Sequence, residues 1–284
     1  MSRPTGQRGI VLALGGGGVR GLAHLGVLSE FERAGVAIAG VAGTSSGALM
    51  GALWLLYGAE PAIAKIRQFV ESGVDPGVPD LQGAGKHRSR PRVLRRLRHA
   101  SVLLRTMLMG PPVTREELVR RIGSLLPAVA IESLALPLVV VATDSASGEE
   151  VRLSRGPLPL AVAASSAMPG LVAPLEVAGR RLQDGGAVAE VPVRAARALG
   201  SPVVAVEVSE ALPHLGAEGD RIPASLFRAA AMGWQELRRR MLAEADAVIA
   251  PEVNHLFWGD YAAVEHAVEA GRAAAKKFLL RGTP

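Results

Sequence analysis

Cysteine is absent from this sequence, which rules out disulfides, thiolate metal sites and a cysteine nucleophile. Aromatic side chains are few: three Trp, two Tyr and five Phe. Leu, Val and Ala must therefore fill the interior, and a surface that stacks nucleic-acid bases has little material to draw on. No acidic loop has the ligand spacing of a calcium site, so neither a metal nor a cofactor is expected. Residues 34–59 carry no charge, but Gly35, Gly40, Gly43, Gly47, Gly51 and Gly58 interrupt them. They read as strand, turn and helix, not as the ~20 continuous apolar residues of a membrane span. Residues 1–7 are polar and lack the apolar stretch of a secretory leader, so a cytoplasmic protein is expected.

What is present is an apolar chain of 284 residues, 49% hydrophobic, long enough for one large core. The reading is a single domain over 1–284. Its net charge of +6 is local. Lys86, Arg88, Arg90, Arg92, Arg95, Arg96, Arg98 and Arg105 lie in a stretch without an acid, and their charge exceeds that of the whole chain. Spaced among Val93, Leu94, Leu97, Leu103 and Leu104, they predict a basic amphipathic helix over 92–109 after a Gly- and Pro-rich loop. This insertion, about 73–110, suits peripheral contact with anionic lipid at the inner membrane through 86–105. A solvated helix face or a dimer contact fits it equally. It does not suggest nucleic acid.

Elsewhere apolar strands alternate with helical spacing, which predicts an α/β fold with a mostly parallel central sheet between helical layers. Strands are expected at 10–14, 36–42, 138–143, 149–153 and 202–208, a hairpin around Gly179, and a last strand at 248–250. Helices are expected at 19–34, 46–57, 61–71, 114–126, 158–167 and 193–199, with C-terminal helices over about 222–280. Thr114 and Glu117 have the spacing of a capping box.

Three motifs carry chemistry. Gly43-Thr44-Ser45-Ser46-Gly47 is a G-x-S-x-G sequence between a strand and a helix, the setting in which a tight turn exposes a serine nucleophile. Gly15-Gly16-Gly17-Gly18-Val19-Arg20-Gly21 follows the first strand and opens a helix. Its bare N–H groups can converge on a phosphate or on a tetrahedral oxyanion. The same glycines satisfy G-x-G-x-x-G, so a dinucleotide site competes. Against it, the second strand ends in Ser45 where such a site wants a carboxylate. Asp184-Gly185-Gly186 places an acid between a short strand and a loop; an ordinary turn aspartate fits the same residues.

Together these motifs resemble the patatin-like phospholipase family, in its bacterial branch related to the neuropathy-target-esterase-like group. The segments Val141-Ala142-Thr143-Asp144 to Gly148-Glu149, Ala164-Ser165-Ser166-Ala167-Met168-Pro169-Gly170 and Arg20-Gly21-Leu22-Ala23-His24-Leu25-Gly26-Val27-Leu28 extend the likeness over about 9–210. The aspartate motif, often Asp-Gly-Ala in the family, is Asp-Gly-Gly here. The resemblance implies a three-layer α/β/α sandwich and a lipid acyl hydrolase acting on phospholipid or lysophospholipid. It implies Ser45 as nucleophile, Asp184 as its partner in a Ser-Asp dyad, and an oxyanion hole at Gly16, Gly17 and Gly18 with Arg20 beside it. Gly21, Gly43, Gly47, Gly185 and Gly186 complete the motifs. Two further alternatives stand: a Ser-His-Asp esterase of α/β-hydrolase type using His214 or His255 with Asp184 or Asp144, and a non-catalytic membrane-associated module. His24, at helical spacing, reads as structural.

Overall fold

The computed structural model describes residues 9–72, 113–209, 222–257, 259 and 261–282. The predicted insertion with its patch at 86–105, together with His87, His99 and His214, lies outside the described residues.

Eight strands form one sheet: β1 (Ile10–Leu14), β2 (Ile38–Thr44), β3 (Leu138–Asp144), β4 (Glu150–Leu153), β5 (Leu175–Val177), β6 (Arg180–Asp184), β7 (Val203–Val206) and β8 (Ala247–Ile249). The order is β5-β6-β3-β2-β1-β7-β8, with β4 also paired to β3. β3, β2, β1, β7 and β8 run parallel to their neighbours, and β4, β6 and β5 join antiparallel. Side-chain alternation decides the layers. Leu12, Leu14, Val41, Leu138, Val140, Val204 and Val206 face one core, while Val11, Ala13, Ala42, Val139, Val141, Val203 and Ala205 face the other.

On the first face lie α1 (Ala23–Arg33), α2 (Ser46–Tyr57), α3 (Ala59–Glu71), α4 (Arg115–Leu125), α5 (Leu158–Ser165) and α9 (Val264–Leu279). On the second lie α6 (Gly186–Ala189), α7 (Val193–Arg197) and α8 (Ile222–Leu242). The result is the expected three-layer α/β/α sandwich. α1 and α9 cross where each carries a glycine: a Cβ on Gly26 would overlap the Val268 carbonyl oxygen, and one on Gly271 that of Ala23. No single described helix is long and apolar enough to cross a membrane, and α2 and α3 are bent 119° from one another.

Several elements differ from expectation for local reasons. The predicted helix over 19–34 begins as a 3-10 turn, Gly18–Leu22, before α1. The first hairpin strand does not start at Val172, because Pro174 supplies no N–H to a ladder. Val172 instead forms an isolated bridge with Val113, and β5 is short. Half of the capping box forms: the Thr114 hydroxyl accepts the Glu117 N–H at 3.1 Å, while the Glu117 carboxylate turns to Arg120 and Arg121.

One feature of the pairing positions the site. β2 pairs with residues 138–141 of β3, and β6 pairs antiparallel with 142–144. β4 covers 140–143 and so occupies the other edge. β2 and β6 therefore share one edge of β3 and meet end to end, with Thr44 opposite Val141 and Asp184 opposite Ala142. Ser45 and Asp184 lie at that junction.

Candidate active site

Ser45 sits at φ 52°, ψ −119° between β2 and α2, a conformation that costs a non-glycine residue on the order of 1–3 kcal/mol. The flanking glycines are steric necessities. A Cβ on Gly43 would stand 2.6 Å from the Ala48 backbone, and one on Gly47 would overlap the Leu14 carbonyl. The Ser45 N–H donates to the Ser165 hydroxyl at 2.8 Å, and that hydroxyl donates to the Val141 carbonyl at 2.5 Å. The Thr44 hydroxyl donates to the Ala189 carbonyl at 2.7 Å. Ser165 lies within a predicted family segment, yet nothing assigned it this role. The available signal was a serine in an otherwise apolar helix.

Asp184 is buried, and its carboxylate interacts with the Ser45 side chain. Its Oδ1 accepts the Gly186 N–H at 2.7 Å, and the Thr143 hydroxyl donates to its carbonyl at 2.9 Å. Gly185 must lack a Cβ, which would overlap the Val141 carbonyl. Burial pushes the Asp184 carboxyl up from 3.8 to about 6. The Gly186 N–H and the Ser45 side chain pull it down, and the charge of Glu190 raises it further.

The glycine loop lies at the carboxyl end of β1, where the sheet order reverses between β2 and β7, the usual crevice of open α/β sheets. Gly16 stands against the elbow: a Cβ there would be 3.5 Å from that of Ser45. Its N–H, however, donates to the Glu190 carbonyl at 2.8 Å. Those of Gly17 and Gly18 have no acceptor among the described residues. Gly21 packs on Ser46 so closely that a Cβ would overlap its hydroxyl. The Arg20 side chain is directed to the backbone, Nε donating to the Val208 carbonyl and a terminal nitrogen to that of Leu256, both at 3.0 Å. It clamps the loop from behind.

The described histidines lie elsewhere. His24 is fully buried, its Nε2 donates to the Gly15 carbonyl at 2.8 Å, and desolvation pulls its imidazole down to about 4. It is neutral and helps to hold the glycine loop. His255 packs edge-on against His266, ring centroids 5.2 Å apart. Asp144 accepts the Ala146 N–H at 2.9 Å and lies 3.8 Å from Arg180. Among the described residues no histidine acts on Asp184.

Ser45 opens onto a cavity of about 160 Å3 walled by α2, α3 and α4 residues such as Leu49, Met50, Ile66, Phe69, Leu118 and Ile122. Among the described residues Arg121 is the one charged side chain in its wall. Among the described residues no group of acids and histidines could hold a metal ion.

A family model described as patatin-like phospholipase matches residues 12–197. The chain belongs to that family. An uncharacterized NTE family protein of Mycobacterium tuberculosis is 33% identical over 213 residues, covering 74% of this chain and 52% of the relative. The patatin-like chain thus spans about half the length of that relative. The patatin-like phospholipase domain-containing protein 6 of Mus musculus is 31% identical over 252 residues, 87% of this chain and 16% of that protein. Among solved structures, VipD from Legionella pneumophila aligns at TM-score 0.46 and 17% identity over 96% of this chain and 67% of that one. All three motifs fall inside the matched patatin-like region, whereas α8 and α9 lie beyond it.

Proposed function

We propose that this protein is a serine lipid acyl hydrolase of phospholipase A or lysophospholipase type, working through a Ser45–Asp184 dyad. The observation that carries the reading is the end-to-end meeting of β2 and β6 along β3, which sets the buried Asp184 beside Ser45 at an elbow that opens onto an apolar cavity. As Ser45 Oγ attacks the ester carbonyl carbon, its proton passes to the Asp184 carboxylate. The oxyanion that forms accepts hydrogen bonds from the N–H groups of Gly17 and Gly18, and Gly16 and Arg20 act as supports of that loop. Collapse expels the alcohol, which takes the proton from Asp184. Asp184 then deprotonates a water that cleaves the acyl-serine, releasing the fatty acid and the free serine. A carboxyl raised toward 6 by burial is a better proton acceptor than an ordinary aspartate and is still ionised at neutral pH.

The substrate in this reading is a phospholipid or lysophospholipid whose acyl chain lies along the apolar wall. The basic stretch at 86–105 suits an anionic lipid surface on sequence grounds alone. A fluorophosphonate followed by peptide mapping should label Ser45, and the protein should cleave a short p-nitrophenyl ester. Unchanged turnover in Ser45→Ala would end the proposal.

A further inference from the structure

The residue that ties α8 to the site is Arg238. Its side chain is 14% exposed and lies between two carboxylates: one terminal nitrogen donates to Glu190 at 3.1 Å, and Nε is 3.5 Å from Glu207. Both acids stand where the sheet's carboxyl ends meet the glycine loop. The backbone carbonyl of Glu190 accepts the Gly16 N–H at 2.8 Å. Glu207 follows β7, whose last residue, Val206, accepts the Gly15 N–H at 3.1 Å, and it immediately precedes Val208, the carbonyl acceptor of Arg20 Nε. Glu207 Oε1 also accepts the Ser209 N–H at 3.1 Å, which fixes the same turn. One guanidinium therefore joins the two backbone segments that hold the glycine loop in place.

The same pair has an electrostatic side. Among the described residues Glu190 is the one charged group acting on Asp184, and it does so through space as a like charge. His24 against the loop is neutral, the Arg20 guanidinium is held by the Val208 and Leu256 carbonyls, and Glu207 is the second carboxylate beside Arg238. A cation paired to Glu190 offsets part of that field.

We propose that Arg238, outside the matched family region, is a positioning residue for this site: gripping Glu190 and Glu207, it fixes the glycine loop and moderates the charge facing Asp184. The proposal rests on the reading of Ser45 and Asp184 as a catalytic dyad. Because the guanidinium and the Glu190 carboxylate bear opposite charges, removing one or the other must move the base in opposite directions. A merely structural role would lower activity in both variants without that signature.

The test is the pH dependence of fluorophosphonate inactivation in the full chain for wild type, Arg238→Gln, Arg238→Lys and Glu190→Gln, with thermal melting as a check on folding. We expect the acid midpoint to rise by about half a unit in Arg238→Gln and to fall by about as much in Glu190→Gln, the scale of one partly solvated charge. Arg238→Lys should keep the wild-type midpoint and recover most of the rate that Arg238→Gln loses. Midpoints that stay at the wild-type value, or that move the same way in both charge-removing variants, overturn the proposal. If Arg238→Gln does not fold, Glu190→Gln decides alone: a downward shift supports the proposal and an unmoved midpoint overturns it. Wild-type protein that is not labelled at Ser45 refutes the dyad instead, so the two failures are distinguishable.

Discussion

Replacing Asp184 by Asn should make the protein more stable while abolishing its activity. In the unfolded chain this carboxyl titrates near 3.8, and in the folded protein near 6. Folding therefore takes up a proton between those values. The penalty on the native state begins as pH rises past 3.8 and is complete above about 6. A shift of about 2 units at ~1.4 kcal/mol each makes it roughly 3 kcal/mol at neutral pH. Asn is nearly the same shape, carries no charge and can still accept the Gly186 N–H through its side-chain oxygen. Asp184→Asn should thus gain up to about 3 kcal/mol at pH 8, or roughly 6 °C in melting temperature at ~2 °C per kcal/mol, and almost nothing at pH 4. Urea denaturation of both proteins at the two pH values measures this. A gain that is absent at pH 8, or equal at both, refutes an ionised, desolvated carboxylate at this position.

Three further outcomes follow from the same geometry. Activity should depend on the ionised base, so kcat/KM should fall about tenfold per pH unit below about 6; a profile flat to pH 4.5 would count against Asp184 as proton acceptor. Ser165→Ala should leave the Ser45 N–H without its acceptor, lowering stability by about 1–3 kcal/mol and slowing fluorophosphonate labelling. Gly26→Ala or Gly271→Ala should force α1 and α9 apart and cost about 1–3 kcal/mol or more in denaturant titration, with no change in the acid midpoint of labelling.

Much of this architecture is written in local pattern. The β-branched run of β3 and the apolar run of β1 identify buried strands, and glycines on both sides of Ser45 announce a turn too crowded for side chains. Gly43 is needed for a reason that sequence spacing conveys, because the elbow there folds onto Gly47 and Ala48, whereas Gly47 is needed because β1, remote in sequence, passes against it at Leu14. The glycine loop is legible as a set of bare amides, but which amides stay bare is not. The Gly16 N–H is taken by the Glu190 carbonyl, and the Arg20 guanidinium by Val208 and Leu256, partners 174 or more positions away in the chain. Ser165 and Arg238 escape notice for the same cause. Each acts across a long sequence separation, through a hydrogen bond or ion pair that no periodicity signals. The capping box shows the opposite limit: Thr114 behaves as its spacing predicts, while Glu117 has better partners in two arginines one turn ahead.

The end-to-end meeting of β2 and β6 along β3 makes the spacing of the dyad a matter of integers. Advancing β6 by one residue against β3 would bring Gln183 or Gly185 to face Ser45 and turn the carboxylate to the opposite face of the sheet. The pairing of Leu182, Gln183 and Asp184 with β3 thus sets the counting, and a one-residue insertion or deletion within β6 should silence the protein more thoroughly than most substitutions in the cavity wall.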